Sequence, residues 1–419
     1  MENISKILKI IVITFIILFL SVQCVFADDV DEEIVEVNQG FTENCINEVA
    51  KNISSEPTIN SRKAIVYDRK SKRILYGKNE KVKCAMASTT KIMTAIVVLE
   101  NANLNDEVEI SAKAGATGGS RLGLKKGNKI TLNDLLYGLM LRSGNDAAVA
   151  IAEYVGGSVQ EFADMMNKKA QELGLTDTNF VTPHGLDNSK HYTTAFELAR
   201  LTDYALENEK FAQIVGTKEA KININGISRI IFNTNELLGV LNGVIGVKTG
   251  FTNGAGRCLV TETKRNDKDI ITVVLGADTK KDRTKDSIKL IEYTFSNFKN
   301  INIEEKAKEE FEKWNAINSK RILIIKSKAE NIKLTLDEIK NKIIPMKAEQ
   351  ENDIKIEINT ITQAEAPIKK GQKIGTLSIK IGEEIIENVD IVCKEEIEKK
   401  SWIDYLKQEL NVYCTKFNV

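Results

Sequence analysis

The chain has 419 residues, enough for two or three domains and a large core. Its 59 basic and 59 acidic residues cancel, so no global field marks it as a nucleic-acid binder. The six cysteines (24, 45, 84, 258, 393 and 414) form no CxxC pair, and the two histidines, His184 and His191, are too few for a His-rich centre. No disulfide framework or zinc site is therefore expected.

At the N-terminus, Lys6 and Lys9 precede the apolar run IIVITFIILFL (10–20), followed by SVQCVFADD. A basic start, a short apolar core and Ala27 before an acidic run predict a secretory signal over 1–27. An uncleaved anchor is the alternative. Cys24 is a poor lipoprotein site, because Gln23 before it is large and polar. Residues 28–58 are acidic and aperiodic and read as a mobile leader of the exported chain. KAIVYDRKSKRILYGKNE gives two strand-like runs around a polar turn, a hairpin. STTKIMTAIVVLEN, TLNDLLYGLMLRS, NDAAVAIAEYVG and VQEFADMMNKKAQELG carry apolar residues at helical spacing, and AFELARLTDYALENEKFAQIV adds one or two more helices. VIGVKTGFTN, GRCLVTETKR and DIITVVLGAD read as three strands, and DRTKDSIKLIEYTFSNF as a closing helix.

Sheet-forming segments at both ends of this region predict one antiparallel sheet flanked by helices, an α+β domain over 59–298. Short strands such as RILIIKS, IKIEIN and KIGTLSIKI follow, predicting a small all-β domain over 299–394. From 395 to 419, Ile403, Leu406, Leu410, Tyr413 and Phe417 share one helical stripe beside Trp402, with lysines at its edges. That C-terminal amphipathic helix suits contact with a membrane surface, or docking on its own domain.

The chemistry begins at ASTTKIMTAIVVLE (87–100), which sets Ser88 and Lys91 three residues apart where an apolar helix starts. SxxK alone is weak, and SNFK at 296–299 matches it by chance. Ser88 follows the small-residue stretch KCAMA and meets a helix N-terminus with its unpaired N–H groups, and Lys91 projects from the same face one turn on. A serine needs a neighbouring base to become a nucleophile at neutral pH, and a lysine serves if its site keeps the amine neutral. The alternative is an N-cap serine with an incidental surface lysine. Two further motifs decide between them. SGN (143–145) lies between two helices, where Ser143 and Asn145 can face a cleft. KTG (248–250) lies in a strand whose alternation puts Lys248 and Gly250 on one face, Thr249 and Phe251 on the other. Gly250 leaves room for a substrate backbone.

The order SxxK, SxN, KTG marks class A β-lactamases and penicillin-binding proteins. From about residue 60 onward the chain resembles the low-molecular-weight penicillin-binding proteins, the serine D-alanyl-D-alanine carboxypeptidases. Stretches such as DLLYGLMLRSGNDAAVAIAEYVGG, GVKTGFTNGAGRCLV and AEAPIKKGQKIGTLSI carry the likeness. The resemblance implies Ser88 as nucleophile, Lys91 as its base, Ser143 as proton relay and Asn145 as support for substrate amide and Lys91. It further implies Lys248 as a source of positive potential, Thr249 as carboxylate binder, and the N–H groups of Ser88 and Phe251 as oxyanion hole. The substrate would be a peptidoglycan stem peptide ending in D-Ala-D-Ala, with no metal or cofactor needed, β-lactams as covalent inhibitors and the outer face of the cell membrane or the wall as the place of action. Met86 stands where the family usually has proline, and Gly123 where a bulky apolar residue is common.

A class A β-lactamase needs a glutamate for deacylation, and TDTNFVTPHGLDN, in the corresponding region, holds none. A peptidoglycan endopeptidase and a non-catalytic penicillin-binding sensor are the other rivals. A Ser-His-Asp triad would need His184 or His191 beside the serine, but both fall in a loop-like stretch after a helix. Asp146 is expected to cap the helix after SGN.

Overall fold

The computed structural model describes residues 48–49 and 55–417, with side chains up to residue 410. The predicted signal, and most of the predicted leader, lie outside the described residues. The chain divides into two compact units, Met1–Ser296 and Asn297–Val419.

In the first unit, β1 (Lys63–Asp68) and β2 (Ile74–Lys78) form the expected hairpin. A 3-10 turn, Ala87–Thr90, leads into helix α1 (Lys91–Asn101). Then come β3 (Glu107–Glu109), α2 (Ala112–Gly115), β4 (Lys129–Thr131), α3 (Leu132–Leu141), α4 (Asn145–Gly156) and α5 (Val159–Glu172). Next are α6 (Ala195–Leu206), α7 (Glu209–Val215) and a hairpin of β5 (Glu219–Ile224) and β6 (Ile227–Phe232). Strands β7 (Val244–Thr252), β8 (Gly256–Arg265) and β9 (Lys268–Ala277) and helix α8 (Lys280–Asn297) complete the unit.

The strands at the two ends unite as one antiparallel sheet in the order β2-β1-β9-β8-β7. Its central strands are buried on both faces, and the period of two sorts their side chains. Ile65, Tyr67, Val260, Ile271, Val273 and Leu275 face the large helical layer. Ala64, Val66, Leu259, Ile270 and Val274 face Ile288, Leu290 and Ile291 of α8. Each fully buried aliphatic side chain contributes about 1.5–3 kcal/mol.

Helix α1 is buried from Lys91 through Val98. It packs against α3, α4, α5, α6 and α7, so it is the centre of the helical layer. Side-chain caps set the neighbouring boundaries. Thr131, Ser158 and Thr194 accept backbone N–H groups at the starts of α3, α5 and α6. Asn208 caps α7, which is why AFELARLTDYALENEKFAQIV is two helices.

The second unit opens with β10 (Phe298–Asn302) and helix α9 (Ile303–Asn318), and sequence reading assigned no helix there. It continues with β11 (Leu323–Ile325), β12 (Leu334–Leu336), β13 (Ile343–Lys347), β14 (Ile354–Thr360), β15 (Gln363–Glu365), β16 (Lys373–Ile381) and β17 (Glu384–Cys393). A four-stranded sheet, β12-β17-β16-β14, dominates, beside the pairs β10-β13 and β11-β15. Its core joins Ile303, Ala307 and Phe311 of α9 to Leu377, Ile379 and Ile391. Helix α10 (Trp402–Phe417) ends the described chain.

Candidate active site

Ser88 lies in the turn just before α1, and neither Ser88 nor Thr90 caps that helix with its side chain. The N-cap alternative therefore fails. Lys91 has no exposed surface, and its amine lies 2.9 Å from the Ser88 hydroxyl oxygen. The same amine donates to the side-chain oxygen of Asn145 at 2.8 Å and to the His184 carbonyl at 2.9 Å. All three acceptors are neutral groups that hold the nitrogen toward the serine.

Ala87, the residue before the serine, has φ +48, and Ser143 has φ +59. Left-handed backbone at a non-glycine residue costs about 1–3 kcal/mol and persists only where the surroundings impose it. At Ala87 the imposition is visible. Its carbonyl accepts the Thr90 hydroxyl at 2.8 Å, and Gly185 packs so close that a Cβ there would lie 1.9 Å from that oxygen.

Asn145 is the first residue of α4, and Ser143 is buried two residues before it. The Asn145 side-chain nitrogen donates to Gly118 O at 2.9 Å, so its amide is engaged at both ends. Gly144, with no side-chain cap, is the N-cap of α4, so Asp146 does not cap that helix as expected. Its carboxylate instead accepts the backbone N–H groups of Leu122, Gly123 and Leu124 at 2.8–2.9 Å, fixing the loop before β4. Gly123 sits in that loop at φ +87, and a Cβ there would meet only the Arg229 side chain, at 3.8 Å, so backbone conformation rather than crowding favours glycine.

KTG lies on β7, one of the two edge strands of the sheet. Lys248 and Thr249 are both buried. The Lys248 amine donates to Thr249 O at 3.1 Å, and the Thr249 hydroxyl pairs with that of Thr234 at 2.7 Å. Gly250 is needed for a different neighbour than expected. A Cβ there would lie 3.0 Å from Ser88 N and 3.1 Å from the Ala87 Cβ, so β7 abuts the turn of the serine itself. Phe251 is half-buried under the Arg257 guanidinium, 3.8 Å from its ring centroid.

Sequence reasoning missed the part played by the stretch 181–191. Besides the His184 carbonyl, Pro183 O accepts the Thr94 hydroxyl of α1 at 2.6 Å. Asp187 accepts the Thr252 hydroxyl at 2.6 Å and Gly254 N at 2.8 Å, tying this stretch to the end of β7. The His191 ring is buried and engaged by Thr90 and by backbone N–H groups, so it is no triad base. Desolvation holds His191 down to about 4 against the pull of Asp187, and desolvation, then Lys91, holds His184 down to about 3. Both are neutral imidazoles at pH 7. Thr234 carried no local signal, since its contact with Thr249 is purely tertiary.

A sheet between helical layers thus brings a serine and a buried lysine together at the central helix. Residues 50–279 match the D-alanyl-D-alanine carboxypeptidase family, and residues 315–399 match the C-terminal domain of penicillin-binding protein 5. The chain is 34% identical over 370 residues to D-alanyl-D-alanine carboxypeptidase DacF of Bacillus subtilis, covering 87% of this chain and 92% of that one. Among solved structures, D-alanyl-D-alanine carboxypeptidase DacD of Francisella tularensis aligns with TM-score 0.65 and 27% identity, over 84% of this chain and 97% of that one. Penicillin binding protein 5 of Haemophilus influenzae aligns with TM-score 0.66 and 27% identity, over 82% and 99%. The chain belongs to the D-alanyl-D-alanine carboxypeptidase family.

Proposed function

We propose that the chain removes the terminal D-alanine from peptidoglycan stem peptides ending in D-Ala-D-Ala, through an acyl-enzyme on Ser88. The observation that carries this is the fully buried Lys91 amine 2.9 Å from the Ser88 oxygen. The neutral amine takes the Ser88 proton as that oxygen attacks the carbonyl of the penultimate D-alanine. Backbone N–H groups of Ser88 and Phe251 hold the oxyanion, a term worth about 2.7–4 kcal/mol per donor in comparable sites. The C–N bond breaks, Ser143 relays a proton to the departing D-alanine nitrogen, and water then hydrolyses the ester.

Asn145, engaged at both ends, keeps Lys91 aimed at the serine. Lys248 supplies positive potential, and the paired hydroxyls of Thr249 and Thr234 suit the terminal carboxylate. A stem peptide laid along edge strand β7 can add main-chain hydrogen bonds to it. A β-lactam presents the same acyl carbonyl and traps Ser88. The test is D-alanine release from a diacetyl-Lys-D-Ala-D-Ala peptide, with Ser88→Ala as control.

Peptidoglycan lies outside the cytoplasmic membrane, and the signal-like residues 1–27 support export. Residues 59–298 then form the catalytic domain, 299–394 the small β domain and 395–419 a membrane-facing tail. Trp402, Ile403, Leu406 and Leu410 on α10 are all exposed, Trp402 at 73%, which supports contact of that helix with a lipid surface. Among the described residues no helix is long and apolar enough to cross a membrane.

A further inference from the structure

We propose that His191 is a positioning residue for the nucleophile, fastening the stretch 181–191 to Thr90 and, through Thr90, to the peptide that precedes Ser88. The inference rests on the role given to Ser88 above.

The hydrogen bonds run in one direction. Nδ1 of His191 accepts the backbone N–H of Val181 at 2.9 Å, with that of Thr182 at 3.4 Å. A nitrogen that accepts carries no proton, so the neutral ring bears its hydrogen on Nε2. Nε2 lies 2.7 Å from the Thr90 hydroxyl oxygen and therefore donates to it. The Thr90 hydroxyl passes its own hydrogen to the Ala87 carbonyl at 2.8 Å. The chain thus runs from the Val181 amide through His191 and Thr90 to Ala87, whose φ of +48 sets the direction of the Ser88 N–H. Its centre is protected from water: His191 and Thr90 are buried, and Phe180 meets the imidazole edge-on at 5.8 Å between centroids.

The same stretch touches three parts of the site. It supplies the His184 carbonyl to Lys91, packs Gly185 on the Ala87 carbonyl, and reaches the end of β7 through Asp187. Without the His191 link, Ser88 and Lys91 keep their atoms. The Ala87 peptide loses the bond network that holds its left-handed backbone, and the Ser88 oxygen and N–H lose their shared aim. Misplacement on the ångström scale reduces chemistry far more than binding. The effect belongs in kcat rather than in KM.

The test uses the exported form of the full chain and compares four single variants and the double variant His191→Phe with Thr90→Val. His191→Phe fills the volume without either nitrogen, and Thr90→Val removes the hydroxyl with nearly the same shape. His191→Gln can accept from Val181 and donate to Thr90, and Ser88→Ala reports on the nucleophile. We expect His191→Phe and Thr90→Val each to lower kcat for D-alanine release roughly 10- to 100-fold. KM should stay within about twofold, and the rate of acylation by penicillin should fall in parallel. The double variant should be no worse than the weaker single variant, because both cut one chain. His191→Gln should recover most of the rate. The proposal is overturned if both single variants keep kcat within about twofold of the natural chain, if their losses multiply, or if Gln is as poor as Phe. If His191→Phe fails to fold, the Thr90→Val and Gln results decide on the same criteria. Loss of release in Ser88→Ala with normal kcat in the other variants sinks this inference alone. Release that survives Ser88→Ala sinks the reading of Ser88, and this inference with it.

Discussion

The amine of Lys91 lies 2.9 Å from the hydroxyl of Ser88 and has no exposed surface, at the start of a helix buried along its first eight residues. In the proposed mechanism that pairing makes the serine a nucleophile, and it depends on a lysine that can be neutral. Lys91→Ala should lower the rate of penicillin acylation by about a thousandfold or more. Lys91→Arg should not rescue it, because a guanidinium stays protonated at any relevant pH. Acylation rates from stopped-flow or intact-protein mass spectrometry check both.

Gly250 should be as intolerant as a catalytic residue, for steric reasons. A methyl group there meets Ser88 N at 3.0 Å and the Ala87 Cβ at 3.1 Å, both part of a buried turn with little room to give. Gly250→Ala should cost roughly 100-fold in kcat/KM and little in melting temperature. A variant with normal kinetics would show that the turn yields easily.

Asp146 should matter for stability and for the loop it holds. Replacing it by alanine removes the acceptor of the Leu122, Gly123 and Leu124 N–H groups. Leaving the buried donors of Leu122 and Leu124 unpaired costs about 1–3 kcal/mol each, so a loss on the order of 2–6 kcal/mol is expected. Asp146→Asn, which keeps one acceptor oxygen, should lose less. Thermal unfolding of the two variants measures the difference.

The histidines predict an acid limit. His191 is held down to about 4 from 6.5, first by desolvation and then by Lys91, with Asp187 opposing. Between those values the unfolded chain binds a proton that the folded chain refuses, so stability rises with pH there. The contribution is fully present above about pH 6.5 and is lost as pH falls toward 4, on the order of 3 kcal/mol for His191. His184, next to Lys91, acts in the same direction. Subtracting the stability of His191→Phe from that of the natural chain across pH 7 to 4 isolates the His191 share. A flat difference would contradict it.

Helix α10 presents Trp402, Ile403, Leu406 and Leu410 to solvent. Leu406→Glu with Leu410→Glu should abolish co-sedimentation with phospholipid vesicles and leave D-alanine release from a small peptide unchanged. Equal sedimentation of both forms would assign the helix another partner.

Much of the fold was legible because local and tertiary preferences agree. The hairpin of β1 and β2, the buried run of α1 and the alternation in β7 to β9 all follow from hydrophobic period. The β5–β6 hairpin was missed although its signal was present. Asn225 and Gly226, both at positive φ, join Ile224 to Ile227 as a two-residue turn of the kind Asn-Gly favours. Helix α9 was missed because its face is mostly charged and only Ile303, Ala307 and Phe311 are buried. In the site, SxxK, SxN and KTG could be read because each is a local word. The left-handed Ala87, the His184 carbonyl and the pairing of Thr234 with Thr249 could not. A backbone oxygen has no residue identity, and a contact between distant segments leaves no local period.

The most direct test of the account is mass spectrometry of the exported form after reaction with penicillin, run beside D-alanine release and with Ser88→Ala in parallel. We expect one adduct, on the peptide containing Ser88, and loss of both adduct and release in the variant. An adduct on another residue, or release that survives Ser88→Ala, would contradict the assignment of Ser88 as nucleophile.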